Sequence, residues 1–479
     1  MLKHPSLYKD QTVVVLGLAR SGVSVAKLFH KLGANVTVND MKERHLSPEA
    51  DELDALGVSV ICGSHPEGLI TEQTALVVKN PGIPYTSPPV MRALELGVEV
   101  VTEVEVAYLI SPAPIIGITG SNGKTTTTTW IGELLEAAGL NPIVAGNIGT
   151  PLCEAAQTAQ PTDWIVAELS SFQLKGTCQF QPRIAMLLNV VETHLDYHGG
   201  MEDYVASKAK LFANQTSADT AILNADDPVC QELMRSGAIQ AKLMPFSTSQ
   251  ELTYGLYVSP PYPADLTAPA DSQPRVIVYR DEQGAAHEIL PVEELGLPGR
   301  HNTANALAAI AACIAASASV EQLLEPLRTF HGVEHRLEYV CEHNGARYYN
   351  NSKSTNGAST IIALHSFPSN VVLIAGGLDR GSDYMELLPH FRDRVKAVVA
   401  LGETRGKIAK VAELAGLTKV KVVEPVEDAE STLQLAVREA AALAEPGDTV
   451  LLSPACASWD MFKSYEQRGS IFKQSAHNL

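Results

Sequence analysis

The sequence predicts an α/β chain of three consecutive domains. The N-terminal domain is expected to be Rossmann-like, the central one a P-loop ATPase-like domain on a parallel or mixed sheet, and the C-terminal one again Rossmann-like. Three observations carry this. Short β-branched runs alternate with helix-like runs along the chain. A glycine-rich loop, GITGSNGKTT at Gly117–Thr126, sits between an apolar strand and a helix. The length, 479 residues, is that of about three domains. The expected boundaries are 1–101, 102–332 and 333–479.

The elements follow in order. Thr12–Leu16 reads as a strand, Gly17 to Gly22 as a turn, Val23–Leu32 as a helix and Val36–Asn39 as a second strand ending at Asp40, the start of a parallel βαβ unit. Ala75–Val78 and Val98–Val101 are further strands. In the second segment Ile115–Ile118, Trp164–Ala167, Ile184–Leu188 and Ala221–Leu223 read as strands, with a helix from Thr125. The proline-rich stretch Ser259 to Pro274 reads as an exposed loop, because strand-like Val276–Tyr279 follows it. A long helix from Asn302, its expected N-cap, to about Ala318 closes this segment. In the third segment Val371–Ala375, Ala397–Leu401 and Thr449–Leu452 are strands with helical stretches between them.

Composition narrows the function. With 54 acidic against 36 basic residues the formal net charge is −18. That argues against a nucleic-acid partner, which needs clustered Lys and Arg. Seven scattered cysteines without a Cys-x-x-Cys pair fit free thiols in a reducing compartment. Met1 to Gln11 is polar, and the Ala-rich run Ala306–Ala316 is too short to span a bilayer. A cytoplasmic protein without a membrane partner is expected.

The phosphate loop is the strongest site signal. Backbone N–H groups of such a loop meet phosphate oxygens, Lys124 adds positive charge, and Thr125 offers a hydroxyl to Mg²⁺. The spacing departs from the usual Gly-x4-Gly-Lys-Thr, whose first glycine falls on Ile118; Gly120 and Gly123 frame a tighter loop. Trp164–Glu168 is an apolar strand ending in a carboxylate, the place where phosphate-loop enzymes hold Mg²⁺. Gly17–Gly22 has Ala19 where a dinucleotide fingerprint has its middle glycine, so a pyrophosphate-bearing nucleotide other than NAD is the better reading. His194 and Asp196 lie in a strand-end loop, NVVETHLD. On composition alone Lys208 belongs to the solvated face of an amphipathic helix. Gly299–Asn302 leads into the long helix, His335-Arg336 sits at the expected domain junction, and Asn351–Asn356 is a polar run that a turn also explains. In Ser453–Asp460 nothing nearby supplies a base for Cys456, which is expected to be a packed thiol.

Together these segments resemble the Mur ligase family along nearly the whole chain. The resemblance rests on GITGSNGKTT, GNIG at Gly146–Gly149, ELSSFQ at Glu168–Gln173, GRHNTANALAA from Gly299, HR at His335-Arg336, NSKSTN from Asn351 and SPACASWDMF from Ser453. The last is similar to the D-glutamate-adding members. The resemblance implies ATP-dependent amide formation through an acyl phosphate, with a UDP-N-acetylmuramoyl-L-alanine substrate and D-glutamate as acceptor. It implies an ATP site at Gly120, Ser121, Asn122, Gly123, Lys124, Thr125 and Thr126, joined by Asn302 and Arg336. It implies one Mg²⁺ on Thr125 and Glu168, and a second served by His194 and a carbamate on Lys208. Catalysis is implied for Lys124, Glu168, His194 and Lys208. The nucleotide sugar falls to Arg20, Ser21, Asn147 and His194, and the acceptor to Lys353, Thr355, Arg380, Ser458 and Tyr465. A monomer is expected. Two departures stand out: Asn351 replaces the family's usual acid, and Arg380 stands where some members have lysine. Rival readings are another Mur ligase, a folylpolyglutamate synthase, a phosphate-loop switch protein and an NAD oxidoreductase.

Overall fold

The protein is described from a computed structural model that covers residues 2–193, 195–263, 273–367 and 369–479, without the Asp196 side chain. These residues form two compact units. One comprises Met1–Ala264, Pro274–Val292 and Ala304–Leu327; the other comprises Asp265–Gln273, Glu293–Thr303 and Arg328–Leu479. The α/β expectation holds, with three sheets.

The first unit carries two sheets. Strands β1 (Thr12–Leu16), β2 (Asn35–Asp40), β3 (Ser59–Cys62), β4 (Thr74–Lys79) and β5 (Val100–Val101) form an all-parallel sheet in the order β3-β2-β1-β4-β5. Strand β1 shows why it is central. Its residues are apolar throughout: Val13 and Val15 enter one core cluster, Val14 and Leu16 the cluster on the other face. The strand order reverses beside β1, so a crevice opens at the carboxyl ends of β1 and β4.

The second sheet of this unit uses β6 (Ile115–Thr119), β7 (Asn141–Gly146), β8 (Asp163–Glu168), β9 (Ile184–Leu187), β10 (Thr220–Asn224), β11 (Lys242–Ser247), β12 (Gly255–Ser259), β13 (Val276–Arg280) and β14 (Ala286–Pro291). Its order is β14-β13-β12-β11-β10-β9-β6-β8-β7, parallel up to β12 and antiparallel beyond. It is thus the expected mixed sheet, with β6 flanked by β8 and β9. Most of the proline-rich stretch lies outside the described residues, and the strands on either side of it, β12 and β13, pair antiparallel.

The second unit contains β15 (Glu338–His343), β16 (Ala346–Asn350), β17 (Val371–Ala375), β18 (Val395–Ala400), β19 (Val420–Val422) and β20 (Thr449–Leu452), ordered β15-β16-β20-β17-β18-β19. Only β15 runs antiparallel to its neighbour. The Rossmann-like expectation holds with that edge strand added.

Several boundaries shift by one to three residues from the sequence reading, and two of these shifts bear on the site. The first helix begins at Arg20, inside the expected turn, because Val23 N–H already donates to Ala19 O at 3.1 Å. The long helix is Arg300–Ala315, so Asn302 lies within it rather than at its N-cap; its N–H donates to Gly299 O and its side-chain amide to Pro298 O at 2.7 Å.

Candidate active site

The phosphate loop leaves β6 and turns into the helix Lys124–Ala137 at Gly123, whose φ of +83° favours glycine. A Cβ there would also collide with the Asn305 side chain. The loop is fastened to the loop after β9. Ser121 N–H donates to Asn189 O at 2.9 Å, and Asn122 N–H to Asn189 Oδ1 at 2.8 Å. Asn189 Nδ2 donates back to Asn122 O at 3.1 Å, and Ser121 Oγ to Val191 O at 3.1 Å. The next link is Val190 N–H to Asp227 Oδ2, 2.9 Å. Two loop N–H groups expected to face a phosphate are therefore occupied by Asn189. Anion binding falls to the start of the helix, where N–H groups and the helix dipole favour negative charge. Lys124 Nζ donates to Gly120 O at 2.8 Å and Ser121 O at 3.1 Å, and Thr125 and Thr126 are buried beneath it.

Glu168 ends β8, beside β6. It is 2 % exposed. Asn147 holds it twice: the Asn147 N–H donates to Glu168 O and its side-chain amide to Glu168 Oε1, both at 2.9 Å. Gly146 permits this, because a Cβ there would collide with Glu168 O. The other carboxylate oxygen, Oε2, is buried and has no hydrogen-bond partner among the described residues. An unsatisfied buried carboxylate oxygen is costly, and a hard divalent cation satisfies it. The donor set therefore fits Mg²⁺. Asn147, expected to contact the nucleotide sugar, is brought to this carboxylate.

Lys208 corrects the composition reading. It lies on the helix Met201–Ala209 but is 1 % exposed. Its Nζ donates to Gly120 O at 2.9 Å and more weakly to Thr119 Oγ1 at 3.4 Å, and it stands 4.6 Å from the centre of the Tyr204 ring. Burial first, then the charge of Lys124, lowers its pKa to about 7. Both effects favour the neutral, nucleophilic amine over the ammonium. His194 lies outside the described residues. The short helix Leu195–His198 that follows places His198 between Ser171 Oγ at 2.9 Å and Asp203 Oδ2 at 2.6 Å.

The β1–β4 crevice is built around Gly17 and Asn80. Gly17 has a φ of +101°, and a Cβ there would collide with the Asn80 side chain. Ser21 Oγ donates to Asn80 Oδ1 at 3.0 Å, while Arg20 is exposed at the helix start. The Asp40 carboxylate accepts Leu18 N–H at 2.7 Å and Lys42 N–H at 2.9 Å, fixing the turn.

In the second unit Lys353, Thr355, Arg380 and Ser458 lie on the segments that follow strands β16, β17 and β20, and Tyr465 opens the helix Tyr465–His477. Lys353 Nζ stands 5.7 Å from the Tyr465 ring centre, Thr355 is half-buried, Ser458 is buried and Arg380 stacks on the exposed Trp459 ring at 5.0 Å. Asn351 uses both ends of its amide, accepting Leu337 N–H at 3.2 Å and donating to Ser453 Oγ at 3.0 Å. An ionised acid could not donate, so the departure suits its surroundings. Arg336 is half-buried in the same unit as Asn302, and its N–H donates to Val333 O at 2.8 Å. Cys456 is the packed thiol expected, raised by burial and held between Thr404 Oγ1 at 3.2 Å and Tyr384 OH at 3.1 Å. All seven cysteines are free.

Sequence reasoning missed Arg468. It is 2 % exposed, donates from Nε to Ser352 Oγ at 3.0 Å, and from Nη2 to Ser352 O and Cys456 O at 2.8 and 3.1 Å. It ties the Ser352-Lys353 turn to the Ser453–Asp460 turn and leaves Nη1 without a partner among the described residues. A charged residue inside an otherwise ordinary C-terminal helix was the only available signal.

Known proteins similar to this chain point to one family. Residues 11–102 match the Mur ligase MurD-like, N-terminal domain, residues 118–313 the Mur ligase middle domain, and residues 335–456 the Mur ligase, glutamate ligase domain. The chain is 47% identical over 479 residues to UDP-N-acetylmuramoylalanine--D-glutamate ligase of Geobacillus sp. (strain WCH70), covering 100% of both chains. It is 48% identical to the enzyme of the same name from Shouchella clausii (strain KSM-K16), over 96% of this chain and 95% of that one. The crystal structure of UDP-N-acetylmuramate-alanine ligase from Thermotoga maritima shares the fold, with a TM-score of 0.56 at 17% identity over 98% of this chain and 99% of that one. With identity of this order to two ligases over nearly the whole chain, and three Mur ligase domains matched in order, the chain belongs to the Mur ligase family.

Proposed function

We propose that this protein is the ATP-dependent ligase that adds D-glutamate to UDP-N-acetylmuramoyl-L-alanine during peptidoglycan precursor synthesis. The observation that carries the proposal is the full-length identity to D-glutamate ligases. The active-site geometry supplies the chemistry. A free carboxylate has no usable leaving group for amide formation. Its oxygen attacks the γ-phosphorus of ATP and ADP leaves. The D-glutamate amine then attacks the acyl phosphate, inorganic phosphate leaves, and the amine gives up a proton.

Phosphoryl transfer is mostly positioning and charge neutralisation. Lys124 exchanges its Gly120 and Ser121 carbonyl contacts for phosphate oxygens, and within Gly120–Thr126 the N–H groups that open the helix meet them, since those of Ser121 and Asn122 are held by Asn189. Asn302 and Arg336, both in the second unit, are the further nucleotide contacts that the family resemblance implies. Thr125 and Glu168 would hold one Mg²⁺, and His194 with Lys208 a second; these ions would neutralise phosphate charge. Asn147 orients Glu168. The Lys208 amine adds CO₂ and releases a proton, becoming a carbamate with one N–H left for Gly120 O and two oxygens for the metal. Arg20, Ser21, Asn147 and His194 take the nucleotide sugar. Lys353, Thr355, Arg380, Ser458 and Tyr465 take D-glutamate.

The domain boundaries 1–101, 102–332 and 333–479 are part of this reading, as are a cytoplasmic location, a monomeric state, and the lack of nucleic-acid and membrane partners. No helix among the described residues is long and apolar enough to cross a membrane. The test of function is sustained phosphate release, which requires the nucleotide sugar and D-glutamate together. L-lysine or meso-diaminopimelate as the better acceptor overturns the assignment.

A further inference from the structure

A second buried lysine lies away from the phosphate loop. Lys79 ends β4 and is 1 % exposed. Its Nζ donates to Ile83 O at 2.9 Å, Pro81 O at 3.2 Å, Tyr197 OH at 3.3 Å and Asn80 O at 3.4 Å. It also stands 4.8 and 5.9 Å from the ring centres of Tyr85 and Tyr197. Tyr197 OH donates in turn to Pro81 O at 3.0 Å. Burial, with the neighbouring Lys175 charge, lowers the amine to about 7. The loop gathered by this amine runs from Asn80 to Ile83. Asn80 is the side chain against Gly17 and the acceptor of Ser21 Oγ, so the same loop forms one wall of the β1–β4 crevice.

We propose that Lys79 is a positioning residue for the nucleotide sugar: a built-in monovalent cation whose cage of carbonyl oxygens and tyrosine rings holds the Asn80–Ile83 loop in its binding shape. Carbonyl oxygens in this arrangement suit a monovalent cation, and ring faces attract one. Among the described residues nothing else in the cage is cationic except Lys175, whose ammonium is paired with Asp203 at 2.7 Å. The proposal rests on the reading that this crevice takes the nucleotide sugar, and its test separates the two.

Affinities for UDP-N-acetylmuramoyl-L-alanine and for ATP are measured by calorimetry at about pH 6, which keeps the amine protonated. Lys79→Ala is expected to weaken the nucleotide sugar about tenfold and leave ATP unchanged, and Tyr197→Phe to weaken it about threefold. Potassium or methylammonium, each small enough for the emptied cage, is expected to restore Lys79→Ala; bulky tetramethylammonium is not. Tyr197→Phe keeps the test alive if Lys79→Ala does not fold. Unchanged nucleotide-sugar affinity in both variants, equal losses for both ligands, or a loss that no small cation repairs overturns the cage. Wild-type protein that fails to bind the nucleotide sugar overturns the underlying reading instead.

Discussion

Lys79 and Lys208 are each 1 % exposed, and each amine is lowered to about 7 by burial and then by a second lysine. Their surroundings differ. Four oxygens meet the Lys79 amine, enough for all three protons of an ammonium. Lys208 meets one carbonyl at 2.9 Å and a hydroxyl at 3.4 Å, so a full ammonium is poorly served and the neutral amine is the better fit. Burial alone therefore does not tell a structural cation from a reactive amine. The number of acceptors does.

The largest expected effect breaks this comparison if it fails. Lys208→Ala loses at least on the order of 10²-fold in turnover, the cost of one transition-state charge contact. Acetate restores part of it by supplying two oxygens, while potassium does not; Lys79→Ala has the reverse pattern. Rescue of both variants by the same additive erases the distinction. Lys124→Ala is expected to lose a similar factor, about 10²-fold, with no rescue by acetate, because it contributes a cation and not oxygens. Steady-state rates check it, and near-normal turnover removes the loop from the phosphate site.

Smaller effects belong to the second unit. Arg380→Ala is expected to raise the KM for D-glutamate about tenfold or more, as for loss of a charged hydrogen bond, and Ser458→Ala about fivefold. The KM for ATP stays put in both, and a shared change in the two constants argues against an acceptor site there.

The smallest effect is on stability. Each buried lysine binds its proton less tightly folded than unfolded. Between about pH 7 and the ordinary lysine value of 10.5, the unfolded chain therefore holds more protons and folding gains as pH rises. The melting temperature of wild type relative to Lys79→Met should climb from pH 7 to pH 9 by about a degree or more. A flat difference means that the amine is not depressed.

These two lysines also mark where the sequence was legible. Strands β1, β17 and β20 were readable to the residue, because unbroken β-branched runs signal a strand buried on both faces. The placing of the glycine-rich loop after β6 and of Glu168 at the end of β8 was readable because each strand and its end lie in one contiguous segment. Strands β3, β7 and β11 escaped, being short or interrupted by polar residues and prolines. Lys208 looked solvated because helical spacing does not reveal that a neighbouring loop covers it. The Lys79 cage was invisible: three of its oxygens are main-chain, and Tyr197 lies 118 positions away. Arg468 was hidden for the same reason, since its partners are a serine 116 positions back and two carbonyls.

The central claim is that the phosphate site acts only on a bound carboxylate and delivers it to D-glutamate. Phosphate release is measured with ATP and Mg²⁺ alone, with the nucleotide sugar added, with D-glutamate added, and with both. Sustained release only in the last mixture, in step with formation of the amide product, is the expected result. Equal release with ATP alone contradicts the account.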